Sequence, residues 1–356
     1  MASPAPLQFK PNLEDAARRW EAYYAGDLID RPIVCVTAPK PGMTRARGSD
    51  YRERVFGDMD DVIDRGLRNA EATYFGGEAM PALWLSFGPD EVGAFCGAEL
   101  GWDENSGDTN WAKPCVDYWE TFLPLKLDDR HPLYLRFLEF YRRAAEKAAG
   151  KVLLCEPDLH TNMDLLMSLR GSERLCEDLL DCPELIDRAM ADARQVFKQV
   201  WKDVTDAGRQ YEHGFWHDCY SMEGAATLQC DFSCMISPAM FRRWVLPALE
   251  EEASIVKHVV YHWDGPGALI HTDDLVASEL IHTLSYVPGA GHGNHLSFAE
   301  TFRSLQDRGK GIQFHGSPEE LKQAHKALRP EKTLYETWVS TPEEAEELLD
   351  WFVRNT

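Results

Sequence analysis

Short apolar runs of strand character alternate with longer amphipathic stretches along this chain, and that alternation constrains its fold more than any other feature. The runs lie at 32–38 (PIVCVTA), 82–87 (ALWLSF), 152–157 (VLLCEP), 214–220 (GFWHDCY), 258–264 (HVVYHWD), 280–287 (LIHTLSYV), 311–316 (GIQFHG) and 333–339 (TLYETWV). Each has strand length and is rich in branched or aromatic residues. Between them, residues 132–149 and 183–207 carry apolar side chains at helical spacing, with Pro183 in the first turn of the second. Ser237-Pro238 opens another helix. Ser317-Pro318-Glu319-Glu320 and Thr341-Pro342-Glu343-Glu344 are cap–proline–acid helix starts. Strands separated by helices pair in parallel, and eight of them predict a closed (β/α)8 barrel. Residues 1–356 read as one such domain, with an N-terminal extension and a long insertion near 88–131. Within the insertion, the polar segment 102–111 is expected to form a loop over the barrel mouth.

The composition supports one large core, with 44% hydrophobic and 11% aromatic residues in 356. Lys and Arg number 37 against 59 Asp and Glu, a net charge of −22. Such a surface repels nucleic acid and anionic membranes. A docking partner should be basic or neutral, and an anionic substrate requires a local basic pocket. No window approaches eighteen apolar residues. The start, Met-Ala-Ser-Pro-Ala-Pro-Leu, has no basic region followed by an apolar stretch, so no signal peptide is expected. The cysteine count is nine, an odd number, and several of them sit inside apolar runs, as Cys35 and Cys155 do. Free thiols and a cytoplasmic location are the expectation.

Chemistry in a barrel of this kind gathers at the strands' C-terminal ends. Residues i and i+2 of a strand face the same side, so His262 and Asp264 project together beside the Gly265-Pro266-Gly267 turn. An imidazole and a carboxylate so placed can bind a metal or move a proton, or simply pin the loop. Trp263 lies beside them as a possible substrate platform. His217 ends the fourth run and is a catalytic candidate, sharing a face with Cys219. Asp158 and His160 follow the third run as further catalytic candidates, with helix capping by Asp158 as the structural alternative. Asp231 precedes a polar turn and either contacts substrate or caps a helix. Gly289 and Gly291 permit close backbone approach to a ligand, and His315 ends the seventh run. The glycines match neither a P-loop nor a dinucleotide fingerprint, so neither ATP nor NAD is implied.

The segment from Leu228 through Asp231, Met235-Ile236-Ser237-Pro238 and Phe241 resembles the uroporphyrinogen decarboxylase superfamily. Upstream, Gly171, Glu173, Leu179-Leu180 and Pro183-Glu184-Leu185 are similar to its helix pair. The resemblance covers roughly 150–356 and implies a (β/α)8 barrel with a central cleft, and a homodimer. The decarboxylases proper carry an arginine-rich motif near the N-terminus, where this chain has Arg31 to Lys40 without it. The other large branch, the zinc methyltransferases that work with methylated corrinoid proteins, carries His-x-Cys and a later cysteine. Here the pattern is His262-Trp263-Asp264, and the last strand offers Tyr335 and Glu336. The resemblance therefore implies a metal set of His262, Asp264 and Glu336, holding zinc or another divalent metal through oxygen rather than sulfur.

The expected function is a metal-dependent, methyltransferase-like enzyme acting on a small methylated metabolite, with a corrinoid protein or a thiol as the other methyl party. A metal-free decarboxylase or lyase using His217, His262 and Asp264 is the alternative. A barrel that binds a small molecule without catalysis is a third.

Overall fold

The computed structural model describes residues 4–103, 109–289 and 291–356. Its strands are β1 (Ile33–Pro39), β2 (Thr73–Gly77), β3 (Ala82–Leu83), β4 (Glu99–Gly101), β5 (Trp111–Lys113), β6 (Leu153–Leu154), β7 (Phe215–His217), β8 (Cys219–Ser221), β9 (Ala225–Gln229), β10 (His258–Asp264), β11 (Thr283–Val287), β12 (Gly311–His315) and β13 (Thr333–Trp338). Seven of them form one sheet in the order β2-β1-β13-β12-β11-β10-β9. All its pairings are parallel except β1 with β2. β3 and β6 make a separate parallel pair, and a bridge from Cys155 to Trp216 links that pair to β7. The protein is thus a mixed α/β fold with a parallel central sheet. Among the described residues the hydrogen-bonded ladder does not close into the expected ring of eight.

The helices form where local chemistry demands them. Helix Pro183–Gly208 buries Ile186, Ala189, Met190, Ala193, Phe197, Val200 and Val204, one stripe at helical spacing. Ser317 and Glu320 complete a capping box at Pro318–His325, and Thr341 caps Pro342–Asn355. The helix begun at Pro238 widens into a π turn over Phe241–Val245 before Leu246–Val256. Pro247, which lacks an N–H to donate back along the helix, sits just after the widened turn. No described helix is long and apolar enough to cross a membrane. All nine cysteines are unpaired.

Several predicted strands differ from those observed. The run 214–220 is not one strand: Asp218 adopts a positive φ of 60°, and β7 and β8 fold back on each other as a hairpin. The runs at 82–87 and 152–157 keep only two strand residues each, with the Cys155 bridge beside the second. β2 and β9 were not expected. β2 ends in Gly76-Gly77, which reads as a turn, and β9 (AATLQ) has Thr227 as its single β-branched residue, too weak a strand signal beside two alanines. Of the 102–111 loop, residues 104–108 lie outside the described residues; β4 and β5 pair on either side of it as an antiparallel ribbon.

The N-terminal extension fixes which end of the sheet is covered. Helix Leu13–Tyr24 buries Trp20 and Tyr23. The Tyr23 hydroxyl lies 2.7 Å from Oγ1 of Thr283, the first residue of β11. Tyr24 stacks on His258, the first residue of β10, at 3.7 Å between ring centroids. The helix thereby packs on the N-terminal ends of β10 and β11, and the candidate residues gather at the opposite end.

Candidate functional site

β10 runs from His258 to Asp264, and its burial alternates at the C-terminal end. His262 and Asp264 share one half-buried face. Trp263 faces the other way, fully buried, its Nε1 donating to the Ala268 carbonyl at 3.0 Å and its ring edge-on to Tyr286. That removes Trp263 from the side of the sheet carrying the polar residues: its role is to anchor the turn.

The third member of the His262–Asp264 cluster comes from β9. Gln229, the last residue of β9, pairs in register with His262, and Asp231 follows two residues later. Ligand atoms of Asp231, His262 and Asp264 all lie within 4.8 Å of one another. Oδ1 of Asp231 is buried and has no hydrogen-bond partner. Burial pushes the Asp231 carboxyl up, and the imidazoles of His160 and His262 oppose that push. One nitrogen and two carboxylates converging at this spacing, with a buried oxygen left unsatisfied, fit a divalent cation such as zinc, manganese or iron(II). Glu336 is not in this group. It sits on β13 with Oε2 3.6 Å from Nδ1 of His315, and it accepts a hydrogen bond from Gln313 at 3.1 Å. Glu336 and His315 form a second polar pair at the same end of the sheet.

Asp158 and His160 stand beside the first cluster. Nε2 of His160 lies 3.6 Å from Oδ2 of Asp158, and Nδ1 lies 3.8 Å from Oδ2 of Asp164. Gln229 donates to Asp158. Burial opposes the charged form of His160, but Asp158, Asp164 and Asp231 outweigh it and raise the imidazole to about 10. Burial would likewise raise Asp158, yet His160, with His217 and His262 nearby, holds it down at about 2. The pair is an imidazolium facing a carboxylate at neutral pH. His217 is buried, with Trp84 edge-on at 5.2 Å, and its Nδ1 has no hydrogen-bond partner.

The residue that orders this site is Asp164, which the sequence reading passed over. Fully buried in helix Asn162–Arg170, it accepts the backbone N–H of Asp231 at 2.9 Å and of Phe232 at 2.8 Å. Behind it, Glu252 accepts from Thr161 at 2.7 Å, and Asn162 donates to the Gln229 carbonyl at 3.0 Å. A faint local signal for it is its place four residues after His160, about one helical turn on, at the entry to helix Asn162–Arg170.

Gly289 and Gly291 have φ of 80° and 85°, the left-handed region that glycine enters freely. Ala290 between them lies outside the described residues. Their loop leaves β11 just after Val287, the register partner of Asp264. A cavity of about 1210 Å³ walled by Tyr51, Trp102, Trp111 and His131 contains none of these residues.

No protein-family model matches the chain, and no curated protein matches it. Among solved structures, its fold is similar to that of a methyltransferase from Methanosarcina mazei, with a TM-score of 0.61. The alignment covers 95% of this chain and 98% of that one, with 13% of residues identical. At that identity the likeness is one of fold.

Proposed function

We propose that the protein is a methyltransferase-like enzyme that holds a divalent metal at Asp231, His262 and Asp264 and acts on a small methylated metabolite. The convergence of those three side chains at the end of β9 and β10 carries the reading. Full-length fold similarity to a methyltransferase supports the reaction class. In this reading β1, β3, β6, β9, β10, β11, β12 and β13 are the strands of a (β/α)8 barrel, with the β7–β8 hairpin filling the gap between β6 and β9. The Cys155–Trp216 bridge on one side and the bond from Thr227 Oγ1 to the His217 carbonyl, 3.3 Å, on the other support that closure. A corrinoid protein is the proposed methyl partner, and a cytoplasmic homodimer the proposed form.

When bound, the cation supplies Lewis-acid polarisation of a substrate heteroatom. The chain's own residues do the rest. Asp164 fixes the backbone at Asp231, so that one carboxylate meets the cluster in a set position. His160, held protonated by Asp158, can donate a proton to a leaving group beside it. His217 presents a buried imidazole against Trp84. The Asp158–His160 pair also favours a second reading, a metal-free lyase in which that pair moves the proton.

Elemental analysis of the purified chain, before and after incubation with zinc, manganese or iron(II) and desalting, tests the first reading. A stoichiometric metal is expected, and Asp264→Asn should lower affinity roughly tenfold or more with folding nearly unchanged. Chains that stay metal-free after loading would end the metal-dependent reading. Cob(I)alamin serves as a surrogate methyl acceptor, and a cobalamin spectrum unchanged by the metal-loaded protein across a panel of methylated metabolites would remove the methyl-transfer assignment.

A further inference from the structure

The sheet carries a second polar group that the metal cluster does not use. On β13, Tyr335 and Thr337 are buried, while Glu336 and Trp338 open to solvent. Those two share one face, two residues apart. Partners in a parallel ladder also share a face, and Asp264 pairs with Val287 as His315 does with Glu336. The β11–β12 register, Thr283 to Gly311, sets Val287 against His315 when continued along both strands. Asp264, Val287, His315 and Glu336 therefore stand in one row on one side of the sheet. Three strand spacings separate the ends of that row, about 14 Å. Side chains reach into the gap from both ends, which leaves a span suited to a small molecule.

This group is rich in unmet acceptors. Gln313 is fully buried on the same face as His315, and its Nε2 donates to Oε2 of Glu336 at 3.1 Å. A carboxylate accepts, so the amide nitrogen is the end that faces it. The amide oxygen, Oε1, is then left buried with no donor, a rare condition in a folded protein. Nδ1 of the exposed His315 stands 3.6 Å from the same Oε2, beyond normal hydrogen-bond length. Among the described residues no donor meets Oε1 of Glu336, and no lysine or arginine pairs with that carboxylate. Other acids in the interior hold guanidiniums: Glu78 grips Arg31 with two bonds, and Asp178 grips Arg170. Burial pushes the Glu336 carboxyl up, His315 opposes that push, and Asp218 adds to it.

The missing complement is a hydrogen-bond donor with positive charge. A protonated amine supplies both. Its N–H groups suit the amide oxygen of Gln313 and the open oxygen of Glu336, and its charge suits the carboxylate. The Trp338 ring beside Glu336 is 58% exposed and offers a π face to a cation. A chain of net charge −22 also draws cations toward it.

We propose that Glu336, Gln313 and Trp338 form the site for a protonated amino group of the substrate. The substrate class is then a small amino-bearing metabolite whose ammonium end is held at β13 while its methylated end reaches the metal cluster. The placement of the methylated end rests on the proposed function; the ammonium site itself does not.

The test uses the full chain with three probes at constant ionic strength: propylammonium, its neutral counterpart propan-1-ol, and tetramethylammonium, a cation without an N–H. Saturation-transfer NMR titration reads weak ligands of this size. Propylammonium should bind about tenfold or more tighter than either of the others, since only it has both charge and donors. Glu336→Gln, which keeps the shape and removes the charge, should weaken propylammonium about tenfold or more. Trp338→Ala, at an exposed position, should weaken it about threefold. Thermal unfolding of both variants should match the parent. Asp264→Asn should leave propylammonium binding unchanged. Propan-1-ol or tetramethylammonium binding as tightly as propylammonium, or an affinity unchanged in Glu336→Gln, would overturn the proposal. So would binding lost in Asp264→Asn and kept in Glu336→Gln, which would place the amine at the metal cluster. Metal content is measured on the same samples. Amine binding without metal sinks only the metal reading, and metal without amine binding sinks only this one.

Discussion

Removing the Asp164 carboxylate should loosen the site from behind. In Asp164→Ala two backbone donors lose their acceptor: the buried N–H of Phe232, now at 2.8 Å, and the half-buried N–H of Asp231, at 2.9 Å. An unmet buried donor costs about 1–3 kcal/mol, and the half-buried one less, because water reaches it. The alanine variant should therefore lose about 2–4 kcal/mol of stability. Asp164→Asn keeps an acceptor oxygen for at least one of these bonds but loses the charge facing His160 at 3.8 Å. Its stability loss should be about 1–2 kcal/mol. The functional effect should be larger than that suggests. The two bonds set the backbone at Asp231, and groups that orient a metal ligand typically contribute 10–100-fold in affinity. Urea denaturation gives the stability change, and competition with a chromophoric chelator gives the metal affinity. An asparagine variant that unfolds earlier yet binds metal as tightly as the parent would refute the positioning argument. Asp164 would then support the fold alone.

Three other outcomes follow from the same structure. Asp264→Cys restores a His-x-Cys pair and should shift preference from manganese toward zinc in competitive loading, because thiolate is the softer ligand; an unchanged preference would take Asp264 off the ligand set. Glu78→Ala should destabilise the fold by about 3–5 kcal/mol, since it strips the buried Arg31 guanidinium of a two-pronged partner and the Val34 N–H of its acceptor; a loss below about 1 kcal/mol in urea would contradict the buried pairing. Burial pushes the Glu91 carboxyl up to about 8. A raised acid is ionised first in the unfolded chain, so stability relative to Glu91→Gln should fall as pH rises from about 4.5 to 8, at up to about 1.4 kcal/mol per unit, then level off; parallel stability curves for the two proteins over that range would rule it out.

The sequence by itself determined what depends on near neighbours. Period-2 alternation placed His262 and Asp264 on one face, and β10 spans the predicted 258–264. First-turn prolines marked the starts at Pro183, Pro318 and Pro342, the last two behind Ser317 and Thr341 caps, because those signals act within one helical turn. The tertiary structure decided who joins them. Asp231 enters the cluster because β9 pairs with β10 in a register that sets Gln229 against His262. Glu336 stays with His315 because β13 lies three strands away in the sheet. Asp164 reaches Asp231 across 67 residues, a contact that no local periodicity encodes. The reversal at Asp218 is likewise invisible in sequence: it needs a single left-handed residue inside a run that reads as continuous. Local sequence sets each side chain's direction, while strand register and helix packing set its neighbours, and chemistry at a site depends on the neighbours.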